Sequence, residues 1–321
     1  MLLLFTVLLP AGCGNEKEAD VDATLPRVAL QLNWKPEPQF GGFYAAQING
    51  IYAKHGLDVT ITAGGAGAPT VEMIGAGTVP FAIVSADEVV RARARGNPIV
   101  ALFAVYQTNP QCLMTRASRG VNTLAELFSV PGTLAMERGL PYSDFLEKKY
   151  GFKNLKIVPS PFGDLTLYRT EETYAMQCFV ASEPLAARRI GIEPRAFLIA
   201  ESGYNPYTTV LATSEGFVKA NPKIVRSMVA AVRDGWQAYL DDADKTNEYM
   251  GKLNPTMDAQ TFKESAEAQK PLIQSPDTEK LGLGAMTLAR WHELVQQLVE
   301  LKVIDRPVAA ESCFMEPSKA K

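Results

Sequence analysis

The feature that most restricts the fold is an alternation of short apolar runs with helical patterns, which begins at Arg27. Residues 28–32 have the composition of a strand, and residues 43–55 form a helical pattern that Gly56 ends. Strands that alternate with helices of about ten residues predict right-handed βαβ units and a mainly parallel sheet. The alternation continues with predicted strands at 57–62, 81–84 and 99–106 and predicted helices at 70–76 and 87–95.

The same alternation restarts after Asn109 and Pro110, which predicts a second α/β half. Beyond Ser214 almost all of the chain has a helical pattern. We therefore predict an α/β protein with two lobes, each containing a mixed, mainly parallel sheet flanked by helices. After residue 110 the predicted strands are at 112–115, 132–136, 155–158, 175–181, 197–200 and 208–213. The predicted helices are at 122–128 (capped by Asn122), 141–150, 183–190, 222–240 and 281–301.

The predicted lobes divide the chain unequally. Residues 27–108 and 208–321 form the first lobe with the C-terminal helices, and residues 109–207 form the second. The chain would leave the first lobe near 107–111 and return near 203–207, and two such crossings make a hinge. Ligands of open α/β sheets bind beyond the carboxyl ends of the strands. The predicted ligand cleft therefore lies between the lobes.

The beginning of the chain predicts export. Residues 1–9 are almost wholly apolar, and residues 10–12 (Pro-Ala-Gly) lead into Cys13. A short apolar run that ends in small residues is typical of a signal peptide. The small pair before the cysteine resembles a lipobox, so we predict lipidation of Cys13 and a polar tether at 14–26. The protein would then lie in the periplasm or on the outer face of the cell membrane, held by its lipid. A buried N-terminal strand with a core cysteine is the alternative.

Three further cysteines follow, at Cys112, Cys178 and Cys313. In an oxidising compartment two of them can form a disulfide. Cys112 and Cys178 both lie in strand-like runs of the same predicted lobe, so they are the preferred pair. The other two pairings, and three free buried cysteines, remain open alternatives.

Composition excludes several classes of function. The chain is 47% hydrophobic and 21% charged, which is ordinary for a globular protein, and its net charge of -3 provides no basic surface for nucleic acid. Its two histidines match no catalytic pattern, because His55 precedes a helix-ending glycine and His292 lacks the second histidine of a zinc-protease helix. Neither a Gly-x-Ser-x-Gly elbow nor a phosphate-binding loop is present. We therefore predict a protein that is not an enzyme and that needs no metal or cofactor.

The most informative segment is residues 33–44, Asn-Trp-Lys-Pro-Glu-Pro-Gln-Phe-Gly-Gly-Phe-Tyr. Aromatic side chains concentrated in a loop indicate a platform for a flat ligand. Packing of Trp34 and Tyr44 within the lobe is the alternative. A glycine-rich turn at 64–67 would place the beginning of a helix at the cleft, where backbone N–H groups can meet a polar ligand atom.

Here the sequence resembles a known family. The Trp-x-Pro loop, the Gly-x-Tyr-x-Ala string and residues 49–59 (Asn-Gly-Ile-Tyr-Ala-Lys-His-Gly-Leu-Asp-Val) are similar to substrate-binding proteins related to thiamine-pyrimidine-precursor synthases and to nitrate, sulfonate and taurine binders. The similarity extends over roughly residues 27–240 and includes Ser182-Glu183-Pro184. It implies a type II periplasmic-binding-protein fold and the role of a monomeric, extracytoplasmic lipoprotein that delivers a small ligand to an ABC permease.

The resemblance also implies how the ligand is held. Members that bind thiamine-pyrimidine precursors or riboflavin stack the ring on aromatic side chains and pair its polar edge with a carboxylate. A buried carboxylate without a partner is costly, so one in the cleft requires a donor on the ligand. The candidates are Trp34, Phe40 and Tyr44 for stacking, Glu183, Asp87 and Glu137 as acceptors, Gln39 and Gln107 for ring atoms, Tyr142 as a clamp from the second lobe, and Tyr207 with Tyr204 near the return crossing.

Three other functions remain open. The first is binding of a small anion, such as nitrate or an alkylsulfonate, by backbone N–H groups and arginine. The second is a synthase like the eukaryotic relatives, which use pyridoxal phosphate and a histidine in the loop after the tryptophan, where this chain has Gln39 and Phe40. The third is a two-lobed sensor domain without a transporter.

Overall fold

The computed structural model describes residues 25–315 of the chain as two lobes, each built on a five-stranded mixed sheet. The first sheet has the order β2-β1-β3-β10-β4. Strand β1 pairs in parallel with β2 and β3, whereas β10 is antiparallel to both β3 and β4, so β10 alone is reversed within this sheet. Its strands are β1 Arg27–Gln31, β2 Asp58–Thr62, β3 Phe81–Val84, β4 Ile99–Tyr106 and β10 Thr208–Ser214.

The second sheet repeats this plan in the order β7-β6-β8-β5-β9. Here β6 pairs in parallel with β7 and β8, and β5 is reversed between β8 and β9. The predicted α/β fold with two mixed sheets flanked by helices is confirmed. The strands of this sheet are β5 Gln111–Arg116, β6 Gly132–Ala135, β7 Leu155–Val158, β8 Tyr174–Phe179 and β9 Pro194–Leu198.

Helices surround both sheets. In chain order they are α1 Gly41–Ile48, α2 Ile51–Lys54, α3 Thr70–Gly75, α4 Ala86–Ala94, α5 Leu124–Ser129, α6 Pro141–Tyr150, α7 Thr166–Thr170, α8 Glu183–Arg189, α9 Glu215–Ala220, α10 Pro222–Asp241, α11 Asp244–Leu253, α12 Ala259–Ala268, α13 Lys270–Ile273, α14 Pro276–Leu281 and α15 Leu288–Glu300. Among residues 25–315, no helix has both the length and the apolar composition needed to cross a bilayer.

Several predicted boundaries differ from the structure. The predicted helix at 43–55 is divided into α1 and α2 because Gly50 adopts the left-handed conformation, with φ of 66°. The helix predicted at 281–301 begins only at Leu288, after Gly282 and Gly284 at positive φ. Thr123, not Asn122, caps α5, because its side chain accepts a hydrogen bond from the Glu126 N–H. The strand predicted at 197–200 ends at Leu198 and continues as a 3₁₀ turn.

The chain passes between the two sheets twice, and the two passages are joined. Residues 107–110 connect β4 to β5, and residues 199–207 connect β9 to β10. The Asn109 backbone N–H donates to the Asn205 side-chain oxygen at 2.8 Å, and Arg290 donates to the Asn205 carbonyl at 2.7 Å. Because the two segments run side by side, a rotation of one lobe would bend both at the same place.

The tightest packing in the first lobe lies between α1 and α10. A Cβ atom built on Gly42 would lie 2.2 Å from the ring of Trp236, and one built on Gly235 would lie 2.3 Å from the Gly42 carbonyl. Trp236 is fully buried and packs edge-on against Phe43. The glycines therefore allow the two helix backbones to approach closely around one large aromatic side chain.

Cys112 and Cys178 lie opposite each other on the antiparallel strands β5 and β8, and their sulfur atoms are joined at 2.05 Å. Cys313 is buried and free. The predicted signal peptide, the lipidation site Cys13 and residues 14–24 of the predicted tether lie outside the described residues.

Candidate functional site

A cleft of about 590 Å³ lies between the lobes and is lined by residues of both. This volume is within the range of about 300–1,000 Å³ that is typical of small-ligand sites. Seven of the residues predicted for ligand binding line the cleft, namely Trp34, Gln39, Asp87, Glu137, Tyr142, Glu183 and Tyr204. Most of them follow the carboxyl ends of strands, as expected for this class of sheet.

Two predicted stacking residues do not line the cleft. Phe40 is fully buried and Tyr44 is 2% exposed, and both belong to the core of the first lobe. Tyr44 lies in α1, whose periodicity turns it towards α10 and α11. Phe40 lies in the 3₁₀ turn at 38–40 just before α1, and this turn packs against α12. Tyr44 contacts Tyr249 there, with ring centroids 5.9 Å apart. We therefore remove both residues from the candidate site.

Gln107 and Tyr207 also lie away from the cleft. The buried Gln107 side chain donates to the carbonyl of Ala285 at 3.0 Å. The Tyr207 hydroxyl accepts from the Thr287 N–H at 2.9 Å, and its ring lies 3.8 Å beneath the Arg290 guanidinium. Both side chains attach the crossing segments to residues at or just before the beginning of α15. The predicted ligand contacts of Gln107 and Tyr207 are therefore wrong, and their role is structural.

The aromatic wall of the cleft contains one residue from each lobe. The rings of Trp34 and Phe162 face each other with centroids 6.1 Å apart and an angle of 35° between their planes. Phe162 is 49% exposed and has a φ of 49°, a strained conformation for a bulky residue. Phe162 is not among the residues predicted from the sequence. The available signal was its position in a Pro-Phe-Gly turn directly after the predicted strand 155–158.

Glu37 lies against the edge of Trp34. The indole N–H of Trp34 donates to the Glu37 carboxylate at 3.1 Å. Burial and the nearby charge of Glu183 raise the pKa of Glu37 to about 7, although the indole bond and Lys35 act in the opposite direction. The ionised form of Glu37 is therefore disfavoured, and an N–H donor or a positive charge on a ligand would stabilise it. Glu37, which lies in the same loop as Trp34, is also not among the ligand-binding residues predicted from the sequence.

Glu183 brings a second carboxylate to this end of the cleft from the other lobe. It is the first residue of α8 and accepts a hydrogen bond from the Phe179 N–H at 2.8 Å through one oxygen. Its other oxygen faces Gly163: a Cβ atom built on that glycine would lie 3.7 Å from it. Burial raises the pKa of Glu183. One oxygen is therefore used to order the chain, and the other can meet a ligand.

The second lobe also contributes a neutral polar group. The Gln177 side-chain oxygen accepts from the Glu137 backbone N–H at 2.6 Å and from the Tyr142 hydroxyl at 2.8 Å. This fixes the orientation of the amide, so its NH₂ group is available to the cleft that Gln177 lines. The predicted acceptor Glu137 and clamp Tyr142 are thus connected through a residue of β8.

The hinge end of the cleft is formed by the beginning of α4. Ser85 and Glu88 form a capping box, in which the Glu88 carboxylate accepts from the Ser85 N–H at 2.8 Å. Asp87 is 8% exposed, and burial raises its pKa while the Arg91 charge lowers it. The backbone N–H groups at the beginning of α4 therefore donate to carboxylates of the chain itself. Since these groups are already occupied, this helix end attracts an anionic ligand only weakly.

Across the whole cleft, carboxylates outnumber cations. In the described part of the chain, the acidic residues that line the cleft are Glu37, Asp87, Glu88, Glu137, Glu183 and Asp258, and the basic residues are Lys35 and Arg91. Because charges interact strongly in a poorly solvated cleft, this balance favours a ligand that is neutral or cationic and donates hydrogen bonds.

A cluster of ion pairs joins the lobes beside the cleft. Arg189, at the end of α8, lies 3.0 Å from the Asp258 carboxylate and 2.6 Å from that of Glu264, and it also contacts the Thr261 hydroxyl. Helix α12, which carries Glu264, packs through Phe262 in the core of the first lobe. Helix α8 therefore has a cleft carboxylate at its beginning and a bond between the lobes at its end.

The two lobes and the cleft between them have the fold of periplasmic binding proteins. Residues 37–246 match the family described as NMT1/THI5 like, and the chain belongs to this family. The periplasmic aliphatic sulphonate binding protein SsuA from Escherichia coli shares the fold, with a TM-score of 0.69, 12% identity and coverage of 90% of this chain and 92% of that one.

Two relatives are named as binding proteins. The formylaminopyrimidine-binding protein of Halalkalibacterium halodurans is 22% identical over 97% of this chain and 96% of its own length. The riboflavin-binding protein RibY of Chloroflexus aurantiacus is 23% identical over 96% of this chain and 91% of its own length. An enzyme also matches: a 4-amino-5-hydroxymethyl-2-methylpyrimidine phosphate synthase of Saccharomyces cerevisiae is 25% identical over 70% of each chain.

Proposed function

We propose that the protein captures a small, flat heteroaromatic solute with N–H donors outside the cytoplasm and delivers it to an ABC permease. The observation that carries this proposal is the combination of the Trp34 ring with two carboxylates, Glu37 and Glu183, from opposite lobes. A flat ring can stack on the indole while its N–H edge donates to the carboxylates. A thiamine pyrimidine precursor and a flavin both have this chemistry, and two relatives are named for ligands of these kinds.

The mechanism follows from the two lobes. In this proposal they comprise residues 27–108 with 208–321, and residues 109–207, and the protein acts as a monomer. Ligand bound to the Trp34 side gains its contacts with Glu183 only when the second lobe closes over it. The closed state is then favoured by those additional contacts. Bending at the joined segments around Asn109 and Asn205 would allow the rotation.

A small anion is the second candidate, because Lys35 and Arg91 line the cleft. Such a ligand would have to approach the carboxylates of Glu37 and Glu183. Burial raises the pKa of both, and the Glu183 charge raises the pKa of Glu37 further. We therefore prefer the heteroaromatic ligand.

Calorimetric titration with 4-amino-5-hydroxymethyl-2-methylpyrimidine, riboflavin, an alkylsulfonate and nitrate tests the choice. Binding of at least one heteroaromatic compound is expected. Binding of the anions alone would refute the proposal. Mass spectrometry of the ligand that co-purifies with the protein provides an independent identification.

The synthase alternative has little support in the site. It requires a histidine in the loop that follows Trp34, but the two histidines of the chain are elsewhere. The His55 ring nitrogen lies 2.7 Å from the Asp234 carboxylate. His292 is on α15, and its ring nitrogen lies 3.4 Å from the Glu311 carboxylate. Neither lines the cleft between the lobes.

Lipidation places the binding protein near its permease in this proposal. The Cys13→Ala variant, expressed with radiolabelled lipid precursor, is expected to lose incorporation of the label and to leave the membrane fraction. The wild-type protein under the same conditions is the reference. Retention of the label in the variant would show that Cys13 is not the attachment site.

The ion pairs of Arg189 are expected to stabilise closure, so Arg189→Gln should weaken ligand affinity by about fivefold without changing which ligands bind. Affinity is measured by calorimetry, and the population of the closed form by small-angle scattering with ligand. Arg188→Gln is the matched control, because Arg188 pairs with Glu193 of its own lobe. Equal effects of the two variants would contradict this role.

Glu37 should make stability depend on pH. Its pKa is raised from an ordinary value near 4.5 to about 7, so between these values the folded state holds more protons than the unfolded state. The free energy of unfolding of the ligand-free protein should therefore fall as pH rises from 4.5 to 7. In Glu37→Gln this contribution should vanish. Urea unfolding of both proteins across this range measures it, and parallel curves would show that Glu37 titrates normally.

A further inference from the structure

The cleft is larger than a single heteroaromatic ring requires. Its volume of about 590 Å³ lies in the middle of the range of about 300–1,000 Å³ that holds drug-sized ligands, whereas a one-ring aminopyrimidine has only about ten heavy atoms. The aromatic wall and the carboxylates Glu37 and Glu183 occupy one end. The remaining volume extends to the hinge end, where residues of α4 and of the second crossing segment line it.

Tyr204 is the most unusual residue at the hinge end. It is 1% exposed and lines the cleft. In the described part of the chain its hydroxyl makes no hydrogen bond of good geometry, although the Asp87 carboxylate lies close enough to interact with it weakly. Its ring packs on Phe145 of α6, with centroids 5.3 Å apart, while the Asp87 carboxylate of α4 raises the pKa of the hydroxyl after burial itself. A buried hydroxyl whose hydrogen bonding is incomplete is costly, and a ligand atom at this position would complete it.

The neighbours of Tyr204 include both a donor and an acceptor. Asp87 and Arg91 are one helical turn apart on α4 and both line the cleft, and the Arg91 charge lowers the pKa of Asp87. Glu88 is already used by the capping box with Ser85. An anionic group would meet the Asp87 carboxylate here, and an apolar group would offer no hydrogen bond to the Arg91 guanidinium or the Tyr204 hydroxyl. Hydroxyl groups satisfy both, because each one donates and accepts.

Building on the function proposed above, we propose that the hinge end of the cleft, formed by Asp87, Arg91 and Tyr204, is a second subsite that binds a hydroxylated chain attached to the heteroaromatic ring. The ligand then has two chemically different parts. Its ring lies at Trp34, and its chain extends towards the hinge. Because the chain subsite contains residues from α4 and from a crossing segment, its occupation also favours the closed arrangement of the lobes.

The test compares two ligands with the same ring. Riboflavin has a ribityl chain, whereas lumiflavin has a methyl group in its place. We expect the wild-type protein to bind riboflavin at least about tenfold more tightly, as measured by quenching of flavin fluorescence. The variants Tyr204→Phe and Arg91→Gln should each lose about fivefold or more in affinity for riboflavin and change less than about twofold for lumiflavin. Arg95→Gln, at the exposed end of α4, is the matched control and should bind both as the wild type does.

Each other outcome identifies what fails. If riboflavin and lumiflavin bind equally, or if the variants weaken both ligands alike, the second subsite is refuted while the ring site stands. If only 4-amino-5-hydroxymethyl-2-methylpyrimidine binds, the ligand is a single ring and the subsite is again refuted. If no heteroaromatic compound binds, the function proposed above fails as well.

Discussion

The Glu183→Gln variant is expected to bind an aminopyrimidine or a flavin about 100-fold more weakly than the wild-type protein. A hydrogen bond to a charged acceptor contributes about 1.5–3 kcal/mol, and glutamine would also present an NH₂ group to an N–H donor of the ligand. The substitution keeps the length of the side chain and an oxygen that can still accept from the Phe179 N–H. The fold of α8 should therefore survive. Calorimetric titration measures the affinity, and thermal unfolding checks the stability.

The control for this prediction is Glu193→Gln. Glu193 lies in the same lobe, is exposed and pairs only weakly with Arg188 at 3.2 Å, so its loss should leave ligand affinity unchanged. The competing interpretation is that Glu183 serves only to order the beginning of α8. In that case Glu183→Gln would lower the melting temperature and leave the affinity at the wild-type value, and the carboxylate would have to be removed from the ligand site.

Gly42→Ala is expected to lower the free energy of unfolding by about 3 kcal/mol. The added methyl group would stand 2.2 Å from the ring of Trp236, which is fully buried and cannot move aside without displacing α10. Helix α1 follows the loop that carries Trp34, so ligand affinity should fall together with stability. Denaturant unfolding monitored by circular dichroism measures the first effect, and titration at low temperature measures the second.

Gly251→Ala is the matched control for this substitution. Gly251 is also a helical glycine, but its nearest neighbour would be Phe262 at 3.8 Å, an ordinary contact distance. Since alanine is the better helix former, this change should raise stability by about 0.5–1 kcal/mol. Similar effects of the two substitutions would show that α1 and α10 do not pack as closely as described.

Much of the candidate site could be predicted from strand ends. Asp87, Glu137 and Glu183 each follow an apolar run that forms a strand, and all three line the cleft. This inference succeeds because the carboxyl ends of the strands in a sheet share one edge, whatever the details of packing. The same argument failed for Gln107, since the segment after β4 turns towards the C-terminal helices before it reaches the cleft.

The aromatic residues show why local sequence is insufficient for side-chain direction. Trp34, Phe40 and Tyr44 lie in one short segment, but only Trp34 reaches the cleft. For Tyr44 the outcome depends on the residue at which α1 begins, because one position of shift rotates a side chain by about 100° around the helix axis. Phe162 is more than a hundred residues away in sequence, and only the approach of the two lobes brings its ring to Trp34.

The sequence by itself determined the two α/β halves, the family and most of the carboxylates at strand ends, because hydrophobic periodicity and short motifs are local properties. Only the tertiary structure decided which aromatic side chains face the cleft, that Glu37 and Glu183 approach from opposite lobes, and that Arg189 reaches α12. These contacts join residues that are distant in the chain. Their geometry depends on how the two separate sheets are oriented about the two crossing segments.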